Sequence, residues 1–513
     1  MINWLKLILL MSMCSAMFLI SCDFEENTKQ ETDFCASIHR NDSLSLSQEL
    51  DSFEGLMDSL TGVYVLENGS GSIVARAWLC EYAEKTIDIQ YFIFSLDNIG
   101  LIACDYLIRA ADRGVKVRII IDDIMVDADI QDIVTFDSHE NISVKLYNPG
   151  VNLGKNIFNK IEKFTFDFRT ANQRMHNKTM VVDGKVVITG GRNIADEYFD
   201  YDHEYNFRDR DILLLGKASK QVNNSFNEFW NSSFSKDITE VIKENSNVVY
   251  QQNRFDKLHE YACNPDNFWP QVRERIVHLP AAFNAIKNSG DLVWLDDVEF
   301  ISDIPGKNDG NSGLGGGGVS TSALIDLVKN AKSSIDIQSP YLITTDLSRN
   351  LFREAVDRGV KVRILTNSLA STDNIEAFSG YQRDREKLLR TGVNIYEFRP
   401  DAAERNRIMT GELRETLEEQ PIFGLHAKSM VIDKKTTVIG TFNLDPRSAN
   451  LNTECIVVVQ SDKISDGVLV GMDEEFLPEN SWKITLDYNP DAEVNKVKRL
   501  KTWTRKVIPK AIL

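Results

Sequence analysis

The sequence predicts an α/β protein in which one domain is written twice. Two mixed, mostly parallel sheets with flanking helices are expected, related by pseudo-twofold symmetry. Three observations predict this. First, landmarks recur in the same order at nearly the same separation: IDIQ at 87–90 and 335–338, DRGVKVR at 112–118 and 357–363, VKLYNP ending at Pro149 against NIYEFRP ending at Pro400, and more faintly SFNEFW before Asn231 against MDEEFL before Pro478. Second, each copy alternates β-branched runs with a helical pattern. Third, the longest repeat joins MHNKTMVVDGKVVITGGRN at 175–193 to LHAKSMVIDKKTTVIGTFN at 425–443, with His, Lys, Asp, Gly and Asn at identical offsets.

In chain order, TIDIQYFIF and SIDIQSPYLI are apolar, β-branched runs expected as buried strands. A capping residue follows each, near Asp97 and Asp346, and then a helix with apolar positions Leu101, Cys104 and Leu107, or Leu351 and Ala355. Gly114 and Gly359 are placed to end these helices, because glycine takes the left-handed cap without a Cβ penalty. VKVRIII and VKVRIL are the next strands, and a crossover of that length implies parallel neighbours. The stretch 301–318, ISDIPGKNDGNSGLGGGG, reads as a loop or linker between the copies, with a mobile segment near a cleft as the other reading.

Within the long repeat, Asp183-Gly184 suits a tight hairpin turn. Strand alternation puts His176 and Lys178 on one side, about 6–7 Å apart; His426 and Lys428 follow the same rule. Gly190, Gly191 and Gly440 let the chain turn closely and return Asn193 or Asn443 towards the histidine.

The pattern met by His176, Lys178, Asp183, Gly190, Gly191 and Asn193, and again by His426, Lys428, Asp433, Gly440, Thr441 and Asn443, resembles the paired motif of the phospholipase D superfamily. Thr441 departs from the second glycine and makes that turn less permissive. The flanks GGRNIADEYF, RDRDILLLG, NLDPRSANLNTE and PGKND resemble bacterial cardiolipin synthases. On that resemblance residues 51–235 and 321–485 are two phospholipase D-like domains, with 236–320 as insertion and linker.

A phosphodiester needs an in-line nucleophile and an acid for the departing oxygen, and two facing imidazoles supply both. A free histidine titrates near 6.5, so one neutral and one protonated ring is readily populated. The resemblance implies His176 as nucleophile and His426 as acid, although both copies offer the same groups and the order could be reversed. Lys178, Lys428, Asn193 and Asn443 would hold the non-bridging oxygens. An acid on the following strand would orient each ring: Asp211, with Asp209 as its competitor, and Glu454 in the second copy. Asp183 and Asp433, at hairpin turns, are expected to be structural. No His/Cys spacing or carboxylate cluster suggests a cation site, and no metal or cofactor is expected.

The formal charge of −18 argues against a binder of nucleic-acid backbones. At the N-terminus an apolar run of roughly 15 residues is short for a bilayer span and fits a signal peptide. It ends in LISC, which resembles a lipobox with Cys22 as the lipidated residue. A lipid-anchored protein on the non-cytoplasmic face of the bacterial inner membrane is the resulting expectation, with residues 23–50 as a flexible tether. The remaining cysteines are scattered and are expected to be mostly buried small hydrophobes. Residues 486–513 are basic with Trp503, Val507 and Ile508 interleaved, and read either as a solvated helix or as a segment lying on an anionic surface. The expected activity is transfer of a phosphatidyl group, from phosphatidylglycerol or phosphatidylethanolamine, to a lipid hydroxyl. Hydrolysis by water, or less readily cleavage of a nucleic acid, are the alternatives. The sequence does not identify a partner protein.

Overall fold

The computed structural model describes residues 34–37, 45–125, 130–150, 152, 168–242, 252–308, 314–409 and 420–513. The signal-like run and Cys22 lie outside the described residues. The first half contributes strands β1 (Thr61–Leu66), β2 (Thr86–Tyr91), β3 (Lys116–Asp122), β4 (Ile142–Tyr147), β5 (Thr179–Val182), β6 (Val186–Gly190), β7 (Tyr205–Arg208), β8 (Asp211–Gly216) and β9 (Ser235–Asp237). After β10 (Val293–Leu295) and β11 (Val298–Ser302) come β12 (Ser334–Gln338), β13 (Lys361–Asn367), β14 (Asn394–Phe398), β15 (Ile422–Leu425), β16 (Ser429–Ile432), β17 (Thr436–Gly440), β18 (Cys455–Gln460) and β19 (Ser481–Ile484).

Two mixed sheets result, ordered β10-β1-β8-β6-β5-β2-β3-β4-β9 and β11-β18-β17-β16-β12-β13-β14-β19. The runs read as parallel neighbours are parallel: β2, β3 and β4 in one sheet, β12, β13 and β14 in the other. Every other pairing in these two sheets is antiparallel, so the sheets are mixed and not mostly parallel as expected: the histidine hairpins and the edge strands add antiparallel neighbours. Next to each trio sits the antiparallel hairpin of the histidine motif, β5–β6 or β16–β17. Its turn requires left-handed backbone, which Asp183 and Gly184 adopt in one copy (φ 52 and 64) and Asp433 and Lys434 in the other (φ 53 and 57).

The helix Asn98–Asp112 is capped by Asp97, whose Oδ1 accepts from Gly100 N at 3.0 Å. Its counterpart Asp346–Asp357 is capped one residue earlier than expected, by Thr345, which accepts from Ser348 N at 3.2 Å. Gly114 and Gly359 close both helices with φ of 92 and 88. Between the sheets lies an apolar layer in which Val181, Val187, Ile212 and Leu214 meet Ile439, Val457 and Val459. Burial of these facing surfaces holds the two copies together.

Residues 236–320 pack into the body. The helices Gln252–Ala262, Pro270–Val277 and Leu279–Asn288 lie on the helices of the first half, while β10 joins the first sheet and β11 the second. The stretch read as a linker begins inside β11. Its Asp303 and Lys307 are buried and ion-paired at 2.7 Å; Asp303 N donates to Glu454 O at 2.9 Å, and Asp303 Oδ2 accepts from Glu454 N at 3.0 Å.

The reading of 23–50 as tether is corrected within its described part. Cys35 forms a disulfide with Cys263, Phe34 packs on Phe268 at 5.0 Å, and the helix Leu46–Leu50 buries both end leucines beneath a Ser45 capping box. Paired spacing could not reveal a bridge 228 residues long; closing so long a loop restricts the unfolded chain by on the order of 5 kcal/mol. Cys80, Cys104 and Cys455 are free and buried, as expected of small hydrophobes.

Candidate active site

Each histidine sits at the end of a short parallel ladder that crosses between the halves. β15 pairs with β7, aligning Leu425 with Arg208, and His426 N then donates to Arg208 O at 2.8 Å. At the symmetry-related place Met175 bridges Thr453, and His176 N donates to Thr453 O at 3.0 Å. The residue after Arg208 is Asp209, and the residue after Thr453 is Glu454. The ladders therefore set each ring beside an acid of the opposite half: His176 Nδ1 lies 2.8 Å from Glu454 Oε2, and His426 Nδ1 lies 2.6 Å from Asp209 Oδ2.

Asp211 is not an orienting acid. Gly190 pairs with Asp211 and Gly440 with Ile456, so the position matching Glu454 is Asp209, two residues earlier. The connection from glycine to acid is longer in the first half (209 − 190 = 19 residues against 454 − 440 = 14), which hides the match. Asp211 instead receives the Ser72 hydroxyl at 2.7 Å and Arg76 at 3.0 Å, and so ties the helix Gly69–Tyr82 to β8.

Gly191 and Thr441 occupy equivalent places with different consequences. A Cβ at Gly191 would stand 2.0 Å from Asp209 Oδ1, so glycine makes room for the acid. Thr441 is not merely a stiffer turn residue: its hydroxyl donates to Glu454 Oε2, the oxygen that meets His176.

Lys178 Nζ donates to His176 O at 2.9 Å, and Lys428 Nζ lies 2.6 Å from His426 O and 3.0 Å from His426 Nε2. All four side chains are buried. Burial and the nearby Lys428 pull Lys178 down to about 7, and burial pulls Lys428 to about 8. Burial and Lys428 lower His426 to about 4 against the pull of Asp209, while burial with Lys178, Lys428 and Arg447 holds His176 well below its ordinary value. The charge of Lys428 thus acts on both rings and on the other lysine, which places the two motifs at one cleft. The cleft concentrates cationic groups that a monoanionic phosphodiester would neutralise.

Asn193 is held from both ends, Oδ1 accepting from Ile93 N at 3.1 Å and Nδ2 donating to Tyr198 OH at 2.8 Å. Asn443 Oδ1 is buried without a hydrogen-bond partner. Asp183 gathers the N–H groups of Glu84, Lys85 and Thr86, and Asp433 those of Lys332, Ser333 and Ser334, at the starts of β2 and β12. Both are structural.

Sequence reasoning passed over three contributors. Phe92 stands edge-on to His176 at 5.0 Å, and Tyr341, which aligns with Ile93 and not with Phe92, stands edge-on to His426 at 6.5 Å. Arg447 is half-buried; it donates to Asn172 Oδ1 at 3.0 Å and to Ile512 O at 3.2 Å, and its charge reaches His176. The rings occupy non-matching positions of the two copies, so alignment does not reveal them, and Arg447 stands within the NLDPRSAN flank. One group of metal-type ligands also assembles among the described residues, Cys35, Asp105, His259 and Cys263, but its two sulfurs are the disulfide and its members belong to the outer helices.

The description "cardiolipin synthase, PLD-like domain" matches residues 79–230 and again 324–474, taking in both histidine motifs. The chain is 33% identical over 436 residues to cardiolipin synthase C of Escherichia coli K12, covering 83% of this chain and 87% of that one. It is 32% identical over 424 residues to an uncharacterized protein of Helicobacter pylori J99, covering 82% and 80%. Among solved structures, phosphatidylserine synthase from Haemophilus influenzae Rd KW20 shares the fold, with a TM-score of 0.56 and 13% identity over 91% of this chain and 100% of that one. With both motifs inside matched segments and a third of residues shared over most of two chains, the protein belongs to the cardiolipin synthase, PLD-like domain family of phospholipase D-type enzymes.

Proposed function

We propose that this enzyme is a phosphatidyltransferase of the cardiolipin synthase type, acting through a phosphohistidine. The observation that carries the reading is the exchange of acids across the interface, which holds two rings at one cationic cleft. With each Nδ1 turned to a carboxylate, Nε2 is the nitrogen for chemistry. Binding of the diester anion offsets the charge of Lys428 and lets His426 take up a proton beside Asp209. His176 Nε2 then attacks phosphorus, the bond to the departing alcohol breaks, and His426 gives that oxygen its proton. The neutral His426 then takes the proton of an acceptor hydroxyl as its oxygen attacks, the P–N bond breaks, and His176 is restored. Lys178, Lys428 and Arg447 stabilise the phosphoryl oxygens, with Asn443 as a further amide donor.

The carboxylates favour this order of roles. Burial would raise Asp209, but Lys428 and His426 outweigh it and keep Asp209 below the usual range, ionised and suited to support an imidazolium. Burial pushes Glu454 up to about 7 despite Lys178, a weaker counter-charge that suits a neutral nucleophilic ring. The named relatives support a phospholipid donor, and the acidic chain counts against a nucleic acid. Incubating purified enzyme with labelled phosphatidylglycerol, with and without phosphatidylethanolamine, tests the reading by mass spectrometry. Cardiolipin is the expected product; phosphatidic acid alone would make the enzyme a hydrolase.

Anchoring through Cys22 outside the cytoplasm belongs to the same proposal, and the disulfide supports an oxidising compartment. Palmitate labelling that persists in Cys22→Ala would refute the anchor. Among the described residues no helix is long and apolar enough to cross a membrane.

A further inference from the structure

The last helix, Lys496–Arg505, takes no part in the chemistry and leaves one face without a partner. Its inner face docks on the helix Ile375–Leu389. Thr502 is buried, Lys498 Nζ donates to the carbonyls of Ala370 and Thr372 at 3.3 Å, and Arg505 pairs with Glu376 at 2.8 Å. Arg383 secures the end of the segment through the carbonyls of Lys506 and Ile508.

The outer face is apolar. Val497, Leu500 and Trp503 are 64%, 62% and 66% exposed, and Val507, just past the helix, is 84% exposed. Continued at 3.6 residues per turn, the four positions fall within an arc of about 120°. Arg499 and Lys506 border that arc on one side and Lys501 on the other. Between 496 and 513 there are seven basic residues and no acidic one, in a chain whose formal charge is −18. Single exposed hydrophobics are ordinary, but a stripe of four with a central tryptophan and basic margins matches a helix that lies in a bilayer interface.

Its position relates it to the cleft. The carbonyls that hold Lys498, of Ala370 and Thr372, come just before Asp373, which accepts from Tyr341 OH at 2.7 Å, and the Tyr341 ring stands edge-on to His426. At the other end of the segment, Ile512 O and Leu513 O accept from Arg447, whose charge acts on His176. One short segment is therefore linked to the surroundings of both histidines.

The geometry points to the stripe of Val497, Leu500, Trp503 and Val507 as a docking face for an anionic phospholipid surface, which sets the mouth of the cleft against the headgroups. Charge complementarity selects this occupant: anionic lipid attracts the basic margins and repels the acidic body, so the same field that binds the helix also orients the enzyme. The purpose of the docking rests on the phosphatidyl-transfer reading; the docking itself does not.

The test mixes the full chain with vesicles containing brominated phosphatidylglycerol or brominated phosphatidylcholine, and isolates the Trp503 fluorescence by difference from Trp503→Phe. This readout does not depend on the N-terminal anchor, because only a tryptophan among the acyl chains meets the bromines. Trp503 should be quenched in phosphatidylglycerol, much less in phosphatidylcholine, and hardly at all at about 0.5 M salt, where screening shortens to about 4 Å. Val497→Ser/Leu500→Ser/Val507→Ser should lose the quenching and slow turnover on vesicles about tenfold, while turnover of a soluble phosphodiester is retained. An unquenched Trp503, or quenching that ignores lipid charge and the serine variant, overturns the proposal. So does shielding of Trp503 without lipid at doubled sedimenting mass, which would assign the face to a second copy. Quenching without any phosphatidyl transfer would leave the docking intact and remove the proposed function instead.

Discussion

The two half-sites carry the same histidine and lysine but solve the placement of the acid differently. Beside His426 the acid is the short Asp209, admitted because Gly191 has no side chain. Beside His176 it is the longer Glu454, and Thr441 fills the place of that glycine with a hydroxyl that holds the carboxylate. Duplication supplied two equal rings, and these substitutions made their counter-ions unequal, with Asp209 kept ionised and Glu454 raised to about 7. The lesson is that a pseudo-symmetric site acquires unequal surroundings through the residues that hold its acids, while the rings stay the same.

The largest test of that asymmetry removes the rings. His176→Ala and His426→Ala should each cost lipid turnover about 10⁴-fold. With a p-nitrophenyl leaving group, which departs without a proton, His426→Ala should recover most of its rate and His176→Ala should not; the opposite recovery would exchange the two roles. Next come the acids. Asp209→Asn, Glu454→Gln and Gly191→Ala should each lower kcat by about 10²-fold or more, the glycine variant by displacing Asp209. Thr441→Val should cost only about 1 kcal/mol, or roughly fivefold, and only if Glu454 keeps its place. Equal losses for Thr441→Val and Glu454→Gln would show that the hydroxyl, not the carboxylate, governs His176.

A third comparison concerns the lysines. Lys428 carries its charge below about 8 and loses it above. Binding of a diester that stays monoanionic, followed by calorimetry, should therefore hold at lower pH and weaken as pH rises through about 8. Lys428→Gln should bind weakly at every pH; a variant that kept the wild-type profile would assign the titration elsewhere. Smallest for catalysis should be Asp183→Ala and Asp433→Ala. Each frees three backbone N–H groups and should lower stability by about 1–3 kcal/mol, read as a lower Tm with kcat nearly unchanged. A large loss of kcat in one alone would give that half a role for its aspartate beyond holding a strand.

Much of this was legible in the linear chain because it is local. The repeats, the strand–helix–strand order, the hairpin at Asp183 and the partners of each motif follow from spacing and backbone preference. The error at Asp211 came from a local guess about a nonlocal contact. Asp209 and Asp211 are two residues apart, so strand alternation could not choose between them; Asp209 lies between β7 and β8 while Asp211 opens β8, and the unequal connections concealed which one matches Glu454. Arg447 was missed for a related reason: its importance lies in where the fold carries its charge, and no feature of NLDPRSAN announces that. The disulfide from Cys35 to Cys263 likewise depends on the docking of distant segments.

The sequence by itself determined that there are two copies, what each contains, and that histidine and lysine stand together in both. Only the tertiary structure decided that each ring is served by the other copy's acid. The reason is physical: periodicity and turn chemistry act over a few residues, whereas the pairing of β7 with β15 and of Met175 with Thr453 arises when two apolar sheet faces close on one another, a contact that no single stretch of chain encodes.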